Sequence, residues 1–386
     1  MKGNIPQGYK NSPLGIIPKE WEVKKIIDFA PLQRGFDLPT NKIIVGEYPV
    51  VYSNGILNYH NEYKAEGPGV VTGRSGTIGK VTYVESNYWP HNTSLWVTDF
   101  KGNNPKFVYY IYNHIELSRF ASGSGVPTLN RNDVHVSKIA IPPTEEQGRI
   151  VNVLELWDTA IEKQSELIEK LTLRKRALMQ QLLTGKKRLA GFSGEWKKTK
   201  LGKIADVIGG GTPNTEITDY WDGNISWFTP TEIGASKYVL YSKRTISNNG
   251  LKNSSARKLP IGTILFTSRA TIGAKAILLK EATTNQGFQS IVVSNGNNNE
   301  FVYYYLDIIQ NKIKQKASGS TFQEISAGSI RKIDIVIPSL EEQNSIASIL
   351  NNADKEIDLA KEKLASLQSQ KQGLMQQLLT GKKRIK

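Results

Sequence analysis

The chain of 386 residues contains no cysteine, so a disulfide, a thiolate nucleophile and a cysteine-ligated metal are all excluded. Long apolar runs are lacking as well: no stretch of about 18 apolar residues occurs that could span a membrane. The first residues also lack the apolar core of a signal peptide. These absences predict a soluble protein with no membrane partner, and we expect it to act in the cytoplasm.

Acidic residues are too few to balance the basic ones. The sequence has 50 Lys and Arg against 35 Asp and Glu, a formal net charge of +15. This balance indicates a polyanionic partner, of which nucleic acid is the first candidate. On charge alone, a generally basic protein without such a partner is the alternative.

One long stretch of sequence occurs twice at a constant offset, which indicates an internal duplication. Both copies begin with Glu-Glu-Gln, at Glu145 and Glu341, and both end with the same eleven residues, at 178–188 and 374–384. Apolar residues alternate at spacings of four and three, the period of a coiled coil. The alternative is that each helix packs against an unrelated core. We predict a shared seam made by Ile150, Leu154, Trp157, Ile161, Ile168, Leu171, Leu178, Leu182, Ile346, Leu350, Ile357, Leu364, Leu367, Leu374 and Leu378.

Two lysines interrupt this seam at equivalent places, Lys175 and Lys371. A polar seam residue costs stability but can fix the register of paired helices. Gly185 and Gly381 stand where each helix is expected to end, because glycine readily takes the left-handed conformation of a C-terminal cap.

The segments before the two helices also repeat one another. Trp196 matches Trp21, and Phe301–Tyr304 matches Phe107–Tyr110, within a mixture of short β-type and helical runs. The sequence therefore predicts an α+β protein, in which two globular α/β domains are separated by two long antiparallel coiled-coil helices in a cyclic, pseudo-two-fold arrangement. The predicted boundaries are 1–144 for the first domain, 145–188 for the central helix, 189–340 for the second domain and 341–386 for the C-terminal helix.

A glycine-rich motif, Gly73–Lys80, is echoed by Arg269–Lys275. It is not a nucleotide-binding P-loop, because five residues separate Gly73 from Gly79 and Val81 follows the lysine. A tight turn that presents arginine and lysine to phosphates or guanine edges fits better. An ordinary hairpin turn with a surface arginine is the alternative.

Other polar residues are candidates for nucleic-acid contact. The amides of Asn92 and Gln286 can pair with adenine, although they could equally be turn residues, and hydroxyls in two polar loops suit phosphates. The candidate DNA-contacting residues are Arg74, Ser75, Thr77, Lys80, Asn92, Ser124, Arg269, Thr271, Lys275, Gln286 and Ser320.

No catalytic constellation is duplicated with the domains. The four histidines all precede residue 136, and Gly209–Gly211 lacks the strand–helix frame of a cofactor motif. Ile141 precedes Pro142-Pro143 where an amino-methyltransferase motif carries Asn or Asp. We therefore predict no catalytic residue, no metal and no cofactor in this chain.

These motifs together resemble the specificity subunit of type I restriction–modification enzymes. The resemblance covers nearly the whole chain, and it is carried by Ile17–Trp21, by both Arg…Thr-Ile-Gly turns, by both Ile-Pro-x-x-Glu-Glu-Gln helix entries and by the two identical helix ends. It implies two target recognition domains that each read one half of a bipartite double-stranded DNA site. It also implies helices that set the spacer and dock two adenine methyltransferase subunits, with a restriction and translocase subunit joining that assembly.

Two other classes of protein compete with this interpretation. A chain that methylates or cuts DNA alone would need a cofactor or metal motif, which the sequence lacks. A coiled-coil scaffold would leave the net charge and the repeated arginine turns unexplained.

Overall fold

The computed structural model describes residues 5–123, 127–269, 271–317 and 323–385. It forms two units: unit 1 is Met1–Glu166 with Glu362–Lys386, and unit 2 is Leu167–Lys361. Each unit combines one globular domain of mixed helix and sheet with parts of two long helices. The predicted α+β fold class and its internal duplication are confirmed.

The domain of unit 1 is built on a four-stranded antiparallel sheet of order β4-β10-β7-β8, beside a three-stranded sheet of order β6-β5-β9. Smaller antiparallel pairs join β1 to β2, β3 to β13 and β11 to β12. The strands are β1 Tyr9–Ser12, β2 Gly15–Pro18, β3 Glu22–Lys25, β4 Leu32–Arg34, β5 Tyr48–Tyr52, β6 Gly55–His60, β7 Gly69–Gly73, β8 Val81–Val84, β9 Trp89–Pro90, β10 Ser94–Val97, β11 Ala121–Ser122, β12 Thr128–Leu129 and β13 Lys138–Ile141.

The domain of unit 2 repeats the two larger sheets and the β3–β13 pair, with one addition. Its main sheet has the order β15-β22-β19-β20-β17, its second sheet the order β18-β16-β21, and β14 pairs with β23. The strands are β14 Lys197–Lys200, β15 Ala205–Gly209, β16 Trp221–Phe228, β17 Tyr238–Val239, β18 Arg244–Ile246, β19 Ile264–Phe266, β20 Lys275–Leu278, β21 Thr283–Thr284, β22 Gln289–Val293 and β23 Asp334–Ile337. The added strand is β17, which pairs parallel with β20.

One aromatic helix packs on the main sheet of each domain, at the same place in the repeat. In unit 1 it begins at Pro105, and the Asn104 side chain caps it by accepting from the backbone N–H groups of Lys106 and Phe107. In unit 2, Asn298 caps the matching helix. The helices are α1 Ile26–Phe29, α2 Pro105–His114, α3 Arg131–His135, α4 Thr144–Leu182, α5 Asn248–Lys252, α6 Asn299–Ile308, α7 Gln310–Gln315, α8 Ala327–Arg331 and α9 Leu340–Leu378.

The two long helices, α4 and α9, both stop just before a glycine in the left-handed conformation. Gly185 has φ 71° and Gly381 has φ 70°, and the N–H of Lys187 and of Lys383 returns to the carbonyl of Gln181 and of Gln377. The glycine caps that the sequence predicts are therefore present at both ends.

The long helices run antiparallel within each unit. In unit 1, Arg384, which follows α9, contacts Glu146 near the start of α4, and Lys371 contacts Asp158 further along α4. Higher residue numbers on α4 thus pair with lower ones on the C-terminal side. In unit 2, Arg188–Glu342 and Lys175–Asp354 follow the same rule. Each core includes residues from the helix ends, among them Leu378 in unit 1 and Leu182 in unit 2.

Candidate nucleic-acid interface

The first candidate turn joins β7 to β8 and is held by the backbone on both sides. The N–H groups of Arg74 and Ser75 donate to the Thr93 carbonyl at 2.9 and 3.1 Å, and the Arg74 carbonyl accepts from Leu129 at 2.8 Å. Gly73 is required here, because a Cβ on it would lie 1.7 Å from the Thr77 carbonyl oxygen.

Two side chains of this turn, Arg74 and Lys80, each donate a hydrogen bond to a backbone carbonyl. The Arg74 guanidinium is half-buried and donates to the Asn92 carbonyl at 3.3 Å. Thr77 and Lys80 are exposed, and Lys80 Nζ donates to the Asn54 carbonyl at 2.5 Å. The structure thus brings Arg74, Asn92 and Lys80 onto neighbouring loops.

Asp37 is part of this cluster, although sequence reasoning missed it. Its carboxylate accepts from the Asn92 side chain and lies 3.6 Å from Arg34 Nη2. Because the Asp37 carboxylate accepts from the Asn92 NH2 group, it fixes the orientation of the Asn92 amide. No sequence motif marks Arg34, the last residue of β4, or Asp37 in the loop that follows it.

The second candidate turn joins β19 to β20 and corrects the predicted alignment of the two motifs. The Ser268 N–H donates to Gly287 at 2.9 Å and the Ser268 carbonyl accepts from Ile325 at 3.0 Å, which are the bonds that Arg74 makes in unit 1. Arg269 forms a β-bridge with Glu324, as Ser75 does with Thr128. Arg74 and Arg269 therefore occupy adjacent positions of one turn and are not equivalent.

Gln286 takes the place of Asn92 in this second site. It is exposed, and its side-chain oxygen accepts from the Thr212 hydroxyl. Arg269 lies against Gly287, where its Nε is 3.5 Å from the position of a Cβ, and Thr271 is exposed at the tip of the turn. In both domains the arginine of the turn thus lies near the segment that carries the candidate amide.

Lys275 is a predicted contact residue that the structure removes from the surface. It is buried, its Nζ lies 2.5 Å from Asp307 Oδ1 and 4.1 Å from the Tyr303 ring centroid. Burial lowers the pKa of Lys275, and Asp307 offsets part of this effect. Backbone pairing aligns Lys275 with Val81 of unit 1 and Lys80 with Ala274 of unit 2. The burial of Lys275 gives its predicted DNA contact no support, and that contact stays a prediction.

The glycine run Gly209–Gly211 has a packing explanation. A Cβ on Gly210 would lie 2.0 Å from the Asn285 carbonyl oxygen, and one on Gly211 would lie 2.2 Å from the Ser255 hydroxyl. The run lets β15 pass close to the Gln286 segment, and the Gly211 carbonyl accepts from Trp227 Nε1 at 2.8 Å.

The remaining predicted contact residues, Ser124 and Ser320, lie outside the described residues.

A buried ion-pair cluster fastens each long helix to its domain. In unit 1 the Glu146 carboxylate is 1% exposed and accepts from Arg384 at 3.1 and 2.8 Å and from Trp21 Nε1 at 3.0 Å. In unit 2, Glu342 accepts from Arg188 at 2.7 Å twice and from Trp196. We call these two clusters the Arg–Glu–Trp locks.

The seam lysines are each neutralised within their own unit. Lys371 pairs with Asp158, which also accepts from the Tyr110 hydroxyl at 2.6 Å. Lys175 pairs with Asp354, which accepts from the Tyr304 hydroxyl at 2.5 Å. A tyrosine on the domain thereby meets both helices at a charged seam position.

The predicted seam positions differ in burial along the helices. Those near the helix ends, such as Ile150, Leu154, Ile346 and Leu378, are buried. The middle ones, such as Ile168, Leu171, Leu364 and Leu367, are half-buried.

The structure was also searched for metal and membrane sites. Over the part of the chain that it describes, no group of three or more His, Asp or Glu side chains could hold a metal ion. Among the same residues, none of the helices has both the length and the apolar character needed to cross a membrane.

Two copies of an α+β domain, each with an arginine turn beside an amide segment and each locked to paired helices, define a duplicated recognition protein. A family model described as the type I restriction modification DNA specificity domain matches residues 18–173 and again 193–369. The chain therefore belongs to the family of type I restriction–modification DNA specificity proteins.

Several relatives agree with this assignment. The MjaIX specificity subunit of Methanocaldococcus jannaschii is 39% identical over 168 residues, about two fifths of each protein (42% of this chain and 39% of that one). The putative MjaX specificity subunit of the same organism is 25% identical over 98% of this chain and 97% of its own. The crystal structure of a type I S subunit from M. genitalium matches with a TM-score of 0.59 and 18% identity, covering 93% of this chain and 96% of that one.

Proposed function

We propose that this chain is the non-catalytic, sequence-reading subunit of a type I restriction–modification complex. Residues 1–144 and 189–340 act as target recognition domains, and each reads one half of an asymmetric bipartite double-stranded DNA site. Residues 145–188 and 341–386 set the spacer between the halves. The chain works in the cytoplasm and needs no cofactor of its own.

One observation carries this proposal: each domain sets an arginine turn against an amide segment, with Arg74 beside Asn92 and Arg269 beside Gln286. Arginine reads guanine and Asn or Gln reads adenine in the major groove. The arginines stand one position apart in the shared turn, so the two halves of the DNA site are expected to differ. The net charge of +15 supplies the phosphate attraction.

The partners follow from the repeat. A protein with two copies of one helix–domain joint offers two similar binding sites to one partner. We assign these sites to two copies of a methyltransferase subunit, which would carry S-adenosylmethionine and methylate adenine. The restriction and translocase subunit would then bind through that assembly.

The test is genome-wide adenine methylation in a host that carries this gene with its methyltransferase partner, compared with the same host without it. We expect a bipartite methylated motif that depends on the gene. Replacing residues 189–340 by the matching domain of a relative should change one half of the motif and preserve the other. A motif that changes in both halves would contradict the division of reading between the domains.

A control separates this function from its alternatives. The purified chain, incubated with DNA and S-adenosylmethionine but no partner, should transfer no methyl group. Transfer without a partner would indicate an enzyme, and no gene-dependent methylation with an active partner would favour a scaffold.

A further inference from the structure

The two domains differ at the outer edge of the main sheet. In unit 2, β17 covers the edge of β20: Ile277 N–H donates to the Lys237 carbonyl at 2.8 Å, and Leu279 N–H donates to the Val239 carbonyl at 2.9 Å. In unit 1, β8 is the edge strand of its sheet, and no strand among the described residues pairs with its outer side.

An insertion explains this difference. The segment 229–243 joins β16 to β18 and carries β17, whereas the matching strands β5 and β6 of unit 1 are joined by Ser53 and Asn54 alone. Backbone alignment of the turns places Tyr83 and Glu85 of unit 1 where Ile277 and Leu279 stand in unit 2. The backbone N–H groups of Tyr83 and Glu85 therefore point outward from the sheet, as the bonded ones of unit 2 do.

The inserted segment also places the Lys237 ammonium group against α9 in unit 2. Lys237 Nζ donates to the Tyr304 hydroxyl at 3.0 Å and to Glu300 at 3.4 Å, and it also bonds Asn351 on α9. Its side chain is 14% exposed, so this lysine is built into the groove between the sheet edge and the helix.

In unit 1 the corresponding groove is open and acidic. It has a volume of about 740 Å³ and lies between β8, α2 and α4. Its walls carry the carboxylates of Glu85, Glu155, Asp158 and Glu162 against the ammonium groups of Lys80 and Lys106. Lys106 pairs with Glu155 at 3.4 Å and Lys371 pairs with Asp158. Within the described ranges, Glu85 and Glu162 have no ion pair.

We infer that this groove of unit 1 is a docking site for an extended, lysine- or arginine-bearing segment of a partner polypeptide, which adds to β8 as a parallel strand. The unpaired N–H groups of the edge supply main-chain hydrogen bonds. The carboxylates of Glu85 and Glu162 favour a basic side chain. Unit 2 shows how such a segment would bind, because there β17 pairs parallel with β20 and Lys237 lies in the corresponding groove.

The probe is a fluorescent peptide that copies residues 234–243 of this chain, titrated against the full-length protein without DNA. We expect saturable binding with a dissociation constant of about 0.01 to 1 mM, since a short strand buries little surface. Glu162→Lys should weaken binding about threefold to tenfold, the range expected for reversing one exposed charge. Asp358→Lys, at the matching position of α9, should leave it unchanged.

A photo-crosslinking version of the peptide locates the site and does not rely on any variant. Crosslinks to Val81–Val84 or to the α4 residues near Glu155 support the proposal. Crosslinks to Lys275–Leu278 would show that the peptide only displaces the chain's own strand, and would overturn it. Absence of saturable binding at about 1 mM, or equal effects of the two lysine variants, would overturn it as well. Because DNA is absent, these outcomes do not depend on the proposed reading of DNA.

Discussion

At the scale of single residues, the two candidate turns are related but not copies. Ser268 makes the backbone bonds of Arg74, and Arg269 stands in the place of Ser75. A shift of one position in a turn changes where a guanidinium points, because successive side chains leave the backbone in different directions. Each domain therefore presents its arginine differently beside an amide of similar position.

The proposed base contact of Arg269 and the proposed phosphate contact of Lys80 can be tested separately. Arg269→Ala should weaken binding to the cognate site by about 1–3 kcal/mol and relax the preference at one base pair. Lys80→Ala, which removes an exposed ammonium, should instead weaken binding to any sequence and lower the salt slope by about one unit. The measurement is binding to cognate and random duplexes over a range of salt. Identical behaviour of the two variants on both duplexes would contradict these roles.

At the scale of elements, each long helix is fixed to its domain by an Arg–Glu–Trp lock. The carboxylate is almost fully buried in both units, at 1% exposure for Glu146 and 2% for Glu342. A buried carboxylate is tolerated only while its cationic partner remains, because ionised groups are costly to remove from water. The locks thus make the helix ends part of the domain cores.

The first lock is tested by Arg384→Ala. The change leaves Glu146 with only Trp21 as a donor in the lock, and it should lower the free energy of unfolding of unit 1 by about 3–5 kcal/mol. Arg188→Ala should likewise destabilise unit 2 by removing the cationic partner of Glu342. Lys363→Ala, at an exposed position of α9, should cost less than about 0.5 kcal/mol. Hydrogen exchange resolved by unit measures both effects. A cost for Arg384→Ala no larger than that of the control would contradict the lock.

At the scale of the whole molecule, the two units differ in their histidines. All four histidines belong to unit 1. His135 is buried, and its Nε2 accepts from the Leu32 N–H at 2.9 Å. Burial, with help from Arg131, lowers the pKa of His135, and burial lowers the pKa of His91 and His114 too. In unit 2, Arg331 stands in place of His135 and donates to the Val207 carbonyl.

Mild acid should therefore destabilise unit 1 more than unit 2. A histidine whose pKa is lowered by folding binds its proton more readily in the unfolded chain, so stability falls as the pH drops below about 6.5. Hydrogen exchange of each unit between pH 7.5 and 5.5, corrected for intrinsic rates, measures the difference. In His135→Gln, whose amide oxygen can still accept from Leu32, part of this pH dependence should disappear. Equal loss in both units would contradict the prediction.

Much of the architecture could be predicted from the sequence, because repeats and periodicity are local signals. The helix pair, the glycine caps at Gly185 and Gly381 and the repeat of the two domains all follow from such patterns. The partners of individual charges could not be predicted in this way. Asp158 and Asp354 form ion pairs with the seam lysines of the other long helix, which requires the antiparallel pairing. Asp307 forms an ion pair with Lys275, which requires the burial of β20.

The equivalence of the two arginine turns was misjudged for a related reason. Matching the residue types pairs Arg74 with Arg269 and needs a gap of one residue in the alignment. The backbone hydrogen bonds pair Arg74 with Ser268 and need no gap. The strand β17 was also not predicted, since a two-residue strand has almost no pattern of its own.

The duplicated lock has a consequence for the inheritance of this gene. A recombination event that exchanges the stretch from one Trp to the following Glu-Glu-Gln replaces both larger sheets and the aromatic helix of a domain. The incoming domain brings its own tryptophan and glutamate, and the unchanged helix end supplies the same arginine, because residues 178–188 and 374–384 are identical. The Arg–Glu–Trp lock can therefore form again at either place without a compensating mutation in the arginine.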